Sequence, residues 1–319
     1  MRRLAVLTSG GDAPGMNPLI RAVVRSGIYY GHKVYGIESG YQGLIEGKVI
    51  ELNESSVGDV IQKGGTFLGT SRSPSFQEQD GFNKAINVLD IFNIDVLIVC
   101  GGDGSLKGAL KLKNAGIKVM GIPASIDNDL AYTDYTIGFM TCLETLCGLI
   151  SKIRDTTESH GRANVVEVMG RNCGDIALYA GLAGGAENIL VPECPTDIDE
   201  IAKKAILGKN RGKRHHIILI SEAMGSPYEF ADKFQSITGI DTKVTIPGYI
   251  QRGGSPCVFD RILASQMGFR AIEEINKNNF NLAIGTRKES IITRNLEEIF
   301  SEESKFSYNL LNILKIISI

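Results

Sequence analysis

The strongest constraint on the fold is a short apolar segment that leads through a glycine-rich turn into a helical pattern. Residues 95–100 (DVLIVC) are rich in β-branched residues and predict a buried strand, and residues 105–115 (SLKGALKLKNA) carry leucines at helical spacing. Between them lies the turn GGDGS, residues 101–105. Such a turn leaves backbone N–H groups open beside the positive end of a helix, so it can hold a phosphate group.

Asp103 is the unusual member of this turn, because a carboxylate repels phosphate unless a divalent cation lies between them. We therefore interpret the turn as a nucleoside-phosphate site in which Asp103 holds a metal ion. An ordinary structural loop is the alternative, since glycine-rich turns with an acidic residue also connect strands to helices without binding a ligand.

The same order of elements recurs along the chain. Residues 4–7 predict a strand, residues 8–17 (TSGGDAPGMN) a second glycine-rich turn, and the residues up to about 30 a helix. Strands alternate with helices throughout, which favours an α/β fold with parallel sheets flanked by helices. We also expect a loop at 38–44, a short helix at 57–62 and a helical tail from 296.

Length and charge narrow the class of protein. With 319 residues the chain suits two domains or one large α/β unit. Its formal net charge of -2 gives no general attraction to nucleic acid or to membranes, so any anion site has to be local.

The sequence shows no signal peptide and no apolar run of about 18 residues, so we expect a cytoplasmic protein. The six cysteines form no CxxC motif and predict reduced thiols.

A second acidic motif follows another predicted strand. Residues 124–129 (ASIDND) place Asp127 and Asp129 on either side of Asn128 at the sheet edge where ligands bind in open parallel sheets. One carboxylate can accept a proton while the other orients groups or the waters of a metal. A self-stabilising Asx turn is the alternative. Arg171, in a glycine-flanked turn at a helix start, is well placed to meet a phosphate.

Six motifs, in matching order and spacing, resemble those of the bacterial ATP-dependent 6-phosphofructokinases. They are LTSGGDAPGMN (7–17), GGTFLGTSR (64–72), GGDGS (101–105), IDND (126–129), VVEVMGR (165–171) and YIQRGGSP (249–256). The resemblance implies an α/β fold of two domains with Rossmann-like parallel sheets. The nucleotide-binding domain would be 1–138 plus about 251–300, and the sugar-phosphate-binding domain 139–250 plus about 301–319. It also implies a homotetramer with sugar sites shared between subunits.

The resemblance assigns roles to the motif residues. It implies that Asp127 is the base that takes the proton from the 1-hydroxyl of fructose 6-phosphate, and that Asp103 holds the Mg2+ of ATP with Asp129 close by. The residues implied in catalysis are Asp127, Arg171, Arg72, Ser125 and Asp129. Those implied in ATP binding are Gly11, Arg72, Ser73, Gly102, Asp103, Gly104 and Ser105.

Two further sets follow from the resemblance. The residues implied in sugar-phosphate binding are Ser125, Ile126, Asp127, Met169, Gly170, Arg171, Glu222, Tyr249 and Arg252, with Arg162 and Lys243 reaching the 6-phosphate from a neighbouring subunit. The residues implied in binding an effector, either ADP or phosphoenolpyruvate, are Arg21, Arg25, Arg154, Gly185, Glu187, Arg211 and Lys213.

The resemblance also bears on the phosphoryl donor. In pyrophosphate-dependent relatives the glycine after the metal-holding aspartate becomes aspartate, and a lysine precedes the TIDND-type motif. Here Gly104 leaves room for the α-phosphate of a nucleotide, and Ala124 supplies no extra cation. We therefore expect ATP as the donor.

Four positions depart from the family pattern. Ser125 replaces a threonine and keeps the hydroxyl group. Lys243 replaces an arginine and Tyr249 a histidine, which predicts weaker binding of fructose 6-phosphate, because lysine lacks the planar two-pronged grip of arginine on phosphate. Glu54 stands where an arginine is normal and would repel an anionic effector, so we expect altered or weak allosteric control.

Three alternative functions compete with this interpretation. A kinase for another ketose phosphate is compatible with the altered sugar pocket. A catalytically weak sugar-phosphate-binding regulatory subunit is disfavoured, because the acids and arginines implied in catalysis are all present. A dinucleotide-dependent oxidoreductase is excluded by the absence of a GxGxxG motif with an acidic residue about 20 positions later.

Overall fold

The computed structural model describes residues 1–195, 197–302 and 306–318. These residues form two compact units. The first unit contains Met1–Ile126, Leu130–Thr141 and the described residues from Arg252 to Glu302. The second unit contains Asp127–Asp129, Cys142–Gln251 and the described residues from Phe306 onwards.

The elements alternate along most of the chain. The strands are β1 (Arg3–Ser9), β2 (Lys33–Ile37), β3 (Val49–Leu52), β4 (Val96–Gly101), β5 (Val119–Pro123), β6 (Ala163–Val168), β7 (Asn188–Leu190), β8 (His216–Ser221), β9 (Thr242–Thr245), β10 (Leu282–Arg287) and β11 (Ser290–Asn295). The α-helices are α1 (Met16–Tyr29), α2 (Gly40–Glu46), α3 (Gln79–Ile91), α4 (Asp103–Asn114), α5 (Phe139–His160), α6 (Asp175–Gly184), α7 (Ile198–Asn210), α8 (Pro227–Thr238), α9 (Val258–Asn276) and α10 (Tyr308–Ile317).

The first unit is built on a seven-stranded sheet in the order β11-β10-β5-β4-β1-β2-β3. Its five inner strands run parallel, while β3 and β11 pair antiparallel to their neighbours at the two edges. The inner strands are buried along their length, as parallel strands covered on both faces have to be. The α/β fold predicted from the alternation of elements is therefore confirmed, with an antiparallel strand added at each edge.

The second unit has a four-stranded parallel sheet in the order β7-β8-β6-β9. Helices α7 and α8 supply apolar residues to its core, among them Ile201 and Phe234. The order 7-8-6-9 makes β6 and β8 the central strands, so the loops that follow them leave the sheet side by side.

Two local predictions in the first unit, at 38–44 and at 57–62, were wrong. The expected loop at 38–44 contains helix α2, because Gly40 adopts a positive φ and Gly43 fits where a Cβ would collide with the carbonyl oxygen of Glu38. The expected helix at 57–62 is a series of turns, and Asp59 in its middle has a φ of 50°. Gly40 and Gly43 meet packing requirements, and Asp59 meets a turn requirement. Helix and loop propensities do not detect either requirement.

The tail differs from the expected helix as well. The hairpin of β10 and β11 precedes it, and a 3-10 turn at Glu298–Phe300 and helix α10 follow. The predicted tail also includes residues 303–305 and 319, which lie outside the described residues. Among the residues that the structure describes, no helix is long and apolar enough to span a membrane.

The six cysteines are free thiols, as predicted. Cys100 and Cys142 are buried in the core. Burial and the charge of Asp175 raise the pKa of Cys173 to about 12, so this thiol stays protonated at neutral pH. Cys100 and Cys142 therefore act as packing residues, while the sulfur of Cys257 accepts a hydrogen bond at the start of α9.

Candidate active site

The two glycine-rich turns of the first unit are brought together by the parallel pairing of β1 with β4. In this register Ser9 lies opposite Gly101, so both turns leave the same edge of the sheet. The buried hydroxyl of Ser105 donates a hydrogen bond of 2.9 Å to the carbonyl oxygen of Ser9. A Cβ on Gly101 would lie 2.5 Å from that hydroxyl oxygen and 2.5 Å from that carbonyl oxygen. The approach of the two turns therefore requires glycine at position 101.

Helix α4 starts within the GGDGS turn, at Asp103 itself. Its N-cap is Gly102, which has no side chain to satisfy the first N–H groups of the helix. A Cβ added at Gly104 meets no heavy atom within 4 Å among the described residues, so the space beside the helix start is open. Open N–H groups at the positive end of a helix, next to free space, suit a phosphate group.

Asp103 has one carboxylate oxygen, Oδ2, 2.8 Å from the ammonium nitrogen of Lys107, one helical turn later. Its side chain is 32% exposed. Within the described residues, no group of three or more His, Cys, Asp or Glu side chains could hold a metal ion by itself. A single carboxylate fits Mg2+ that arrives on a nucleotide, because this ion keeps water and phosphate ligands and needs one or two carboxylates from the protein.

The segment that carries Arg72 is fixed to the first glycine-rich turn. Asn17 on α1, which is almost fully buried, donates to the carbonyl oxygens of Lys63 and Gly64 and accepts from the N–H of Phe67. The hydroxyl of Thr70 donates to the carbonyl oxygen of Gly10 at 2.9 Å. Arg72 then follows with an exposed side chain. Sequence patterns assigned no role to Asn17, although it lies inside the first glycine-rich motif.

The structure also ties Ser73, Ser125 and Arg252 into the first unit. The Ser73 hydroxyl donates to the side chain of Gln42 at 2.8 Å. Ser125 follows β5, and a Cβ on Gly102 would lie 3.6 Å from its Cβ. The guanidinium of Arg252 lies against the first glycine-rich turn, with Nη1 3.5 Å from the carbonyl oxygen of Asp12. It also covers Gly11, where a Cβ would be 2.3 Å from the same nitrogen.

In the second unit, residues 127–129 lie beside the turn that carries Arg171. Asp127 is 3% exposed. Asn128 adopts a φ of 54° and donates from Nδ2 to the carboxylate of Asp175 at 2.9 Å. Asp129 Oδ2 is 3.6 Å from a guanidinium nitrogen of Arg171. Asp129 and Arg171, distant in the sequence and both predicted catalytic residues, are thus brought together.

The turn at 169–171 is held by two side chains. Oε1 of Glu222 accepts from the N–H groups of Gly170, at 3.2 Å, and Arg171, at 2.7 Å. Oε1 of the buried Gln251 accepts from the N–H of Met169 at 3.0 Å. Arg171 itself has a φ of 54°, a strained backbone conformation for a side chain of this size. These contacts bring predicted sugar-binding residues together and add Gln251, which was not among the predicted site residues.

Arg162 and Lys243 converge on one carboxylate. Arg162 immediately precedes β6 and Lys243 lies on the neighbouring strand β9, where it pairs with Asn164 of β6. Arg162 Nε lies 2.5 Å from Oδ2 of Asp241, and Lys243 Nζ lies 2.8 Å from Oδ1. The hydrogen bond from Lys243, with smaller contributions from Arg162, lowers the pKa of Asp241. Tyr249 is 84% exposed.

The predicted effector residues occur in both units. In the first, burial and the neighbouring charge of Arg25 lower the pKa of Arg21 on α1, and Glu54 is exposed. In the second, Arg154 donates to the carbonyl oxygen of Gly185 at 2.9 Å. Lys213 pairs with the buried Glu187 at 2.6 Å. Arg211 lines a separate cavity of about 540 Å³ with Lys204 and Leu311.

Comparisons with known proteins agree with the motifs. A family model described as Phosphofructokinase matches residues 3–275. The ATP-dependent 6-phosphofructokinase of Alkaliphilus metalliredigens is 53% identical over 319 residues, which is 100% of both chains. That of Finegoldia magna is 52% identical over 319 residues, again 100% of both. The phosphofructokinase structure from Saccharomyces cerevisiae aligns with a TM-score of 0.89 at 36% identity, and covers 94% of this chain and 45% of the yeast chain.

Proposed function

The chain belongs to the phosphofructokinase family, and on this basis we propose that it transfers the γ-phosphoryl group of ATP to the 1-hydroxyl of fructose 6-phosphate. The products are fructose 1,6-bisphosphate and ADP, which makes the chain a phosphotransferase of glycolysis. The observation that carries the proposal is the match, along the full length and at about half identity, to relatives named for this activity.

Asp127 acts as the base in this proposal. The 1-hydroxyl oxygen attacks the γ-phosphorus, its proton passes to the carboxylate of Asp127, and the bond from the γ-phosphorus to the leaving oxygen of ADP breaks. A carboxylate suits this role, because its oxygens can accept the proton of a hydroxyl group as a general base. Ser125 and Ile126, immediately before it in the chain, position the sugar.

Arg171 and Arg72 supply positive charge to the transferring phosphoryl group. Both side chains are exposed, and the ion pair of Arg171 with Asp129 is long at 3.6 Å. A long pair whose cation is exposed leaves the guanidinium accessible, so Arg171 can exchange its carboxylate partner for a phosphate. Phosphoryl transfer depends mainly on such positioning and electrostatic stabilisation.

ATP is held by the first unit. The proposed contacts are Gly11, Arg72, Ser73, Gly102, Asp103, Gly104 and Ser105. Mg2+ carried by ATP would be held by Asp103, and when bound it offsets charge on the phosphate oxygens. The open space at Gly104 supports a nucleotide over pyrophosphate as the donor.

The residues proposed to hold the sugar phosphate are Met169, Gly170, Glu222 and Arg252. The paired cations Arg162 and Lys243 are proposed to bind the 6-phosphate of a neighbouring subunit in a homotetramer. Since both are salt-bridged to Asp241, a phosphate must compete with that carboxylate.

A kinase for another ketose phosphate is the second candidate. It is favoured by Lys243 and the exposed Tyr249, which replace the arginine and histidine expected from the family pattern. The proposed test therefore compares several ketose phosphates.

Purified enzyme is expected to phosphorylate fructose 6-phosphate with Mg-ATP in a coupled assay, and to show little turnover with pyrophosphate. Asp127→Asn should lower kcat by about 10²–10⁴-fold, because the amide cannot accept the proton. Binding of Mg-ATP, measured by calorimetry, should stay unchanged. No turnover of any ketose phosphate by the unmodified enzyme would rule out the kinase function, and equal turnover of several would favour the second candidate.

Gly104→Asp tests whether the phosphates of ATP lie in the open space beside Gly104. The new side chain has room, so the thermal midpoint should not fall, but its charge should raise the KM for ATP by about tenfold or more. Gly148→Asp is the matched control, because Gly148 is an exposed glycine of α5 that also has open space. A KM for ATP that stays the same in both variants would contradict the proposed place of the nucleotide.

Lys243→Arg combined with Tyr249→His should lower the KM for fructose 6-phosphate by about ten- to a hundredfold, because arginine adds a charge-assisted hydrogen bond to phosphate. Initial rates against sugar concentration measure this change. The KM for ATP serves as the internal control and should not move. Equal sugar KM values in the variant and the unmodified enzyme would show that these departures do not weaken the pocket.

Glu54→Arg addresses regulation. The exposed carboxylate should make inhibition by phosphoenolpyruvate weak in the unmodified enzyme, and its replacement should tighten inhibition by about tenfold or more. Rates against phosphoenolpyruvate and ADP provide the measurement, with Glu51→Arg on the exposed edge strand β3 as control. Strong sigmoidal inhibition of the unmodified enzyme would contradict the proposal.

A further inference from the structure

Lys107 is the residue outside the predicted set that most directly affects the nucleotide site. Its ammonium nitrogen lies 2.8 Å from Oδ2 of Asp103, and its side chain is 60% exposed. Side chains on an α-helix lean toward the N-terminus, so Lys107 lies over the first turn of α4. That turn is the proposed phosphate site.

The other lysine on this side of the helix has a different contact. Lys111 donates from Nζ to the carbonyl oxygens of Phe76 and Gln77, at 3.2 and 3.1 Å. Lys107 is therefore the cation that the structure pairs with the proposed metal-holding carboxylate.

We propose that Lys107 sets how strongly the site prefers Mg-ATP over metal-free ATP, an inference that rests on the proposed nucleotide site at the GGDGS turn. The ammonium group neutralises Asp103 when no metal is present. Metal-free ATP then meets a paired carboxylate instead of a bare one, which reduces the repulsion of its phosphates.

The same ammonium group opposes the metal. Mg2+ held by the carboxylate of Asp103 would lie close to the Lys107 ammonium group, and the two positive charges would repel each other. Lys107 thus weakens the binding of Mg-ATP and strengthens the binding of metal-free ATP. Both effects lower the affinity for Mg-ATP relative to the affinity for metal-free ATP.

Lys107→Gln tests the role of the charge, because glutamine keeps much of the side-chain length and helix propensity but carries no charge. Calorimetric titration with a non-hydrolysable ATP analogue, in the absence of sugar, gives its Kd with excess Mg2+ and with EDTA at equal ionic strength. The preference for the magnesium complex should rise by about fivefold in Lys107→Gln, as expected for the loss of an exposed ion pair. Lys107→Arg should retain the preference of the unmodified enzyme.

Lys84→Gln is the matched control. Lys84 makes the same type of pair with Asp80, at 2.7 Å and four residues apart, on α3. Its loss should leave the preference unchanged. An unchanged ratio in Lys107→Gln, or equal weakening of both complexes, would overturn the inference while the nucleotide site stands. Failure of the unmodified enzyme to bind the analogue under either condition would instead count against the proposed function.

Discussion

The hydrogen bond from the Ser105 hydroxyl to the Ser9 carbonyl oxygen marks the constraint on which the first unit depends. It can form because β1 and β4 run parallel, with Ser9 opposite Gly101. The two turns then approach so closely that side chains are excluded. Gly64, in the segment that carries Arg72, is under the same constraint, since a Cβ there would lie 2.2 Å from the carbonyl oxygen of Gly254. Glycine in these motifs therefore reflects backbone packing at the sheet edge as much as ligand approach.

Several of the cations near the proposed binding sites are paired with carboxylates in the free protein. Arg171 pairs with Asp129, and Lys107, the residue inferred to tune metal preference, pairs with Asp103. Arg162 and Lys243 share Asp241. These pairs are at least partly exposed, so each contributes little to the stability of the fold. A phosphate or a metal ion can replace one partner at a small energetic cost, and the cations remain oriented until it does.

Local sequence patterns predicted the elements whose cause is local. Most of the run predicted as a strand at 95–100 forms the buried β4, Val96–Gly101, because parallel strands covered on both faces are continuously apolar. The helix predicted over 105–115 is α4, which begins two residues earlier, at Asp103. The hairpin of β10 and β11 and the contacts of Asn17, Asn128 and Gln251 were missed. The hairpin is local, but its two turn residues, Lys288 and Glu289, adopt positive φ without the glycine or asparagine that usually signals such a turn. The three side-chain contacts depend on residues brought near by the fold: Asn128, for example, meets Asp175 across 47 positions. A single sequence does not show which distant residues form such pairs.

The lysine at 243 illustrates how a departure from a family pattern can be neutral for the fold and still matter for binding. Asp241 offers Oδ1 to Lys243 and Oδ2 to Arg162, so each oxygen holds one cation. An arginine at 243 would present several donors in a fork and would compete with Arg162 for the same carboxylate. Lysine satisfies Oδ1 as a point charge and leaves Oδ2 to Arg162. The loss therefore falls on the two-pronged hydrogen bonding that a planar guanidinium offers to two phosphate oxygens, while the ion pairs with Asp241 are kept.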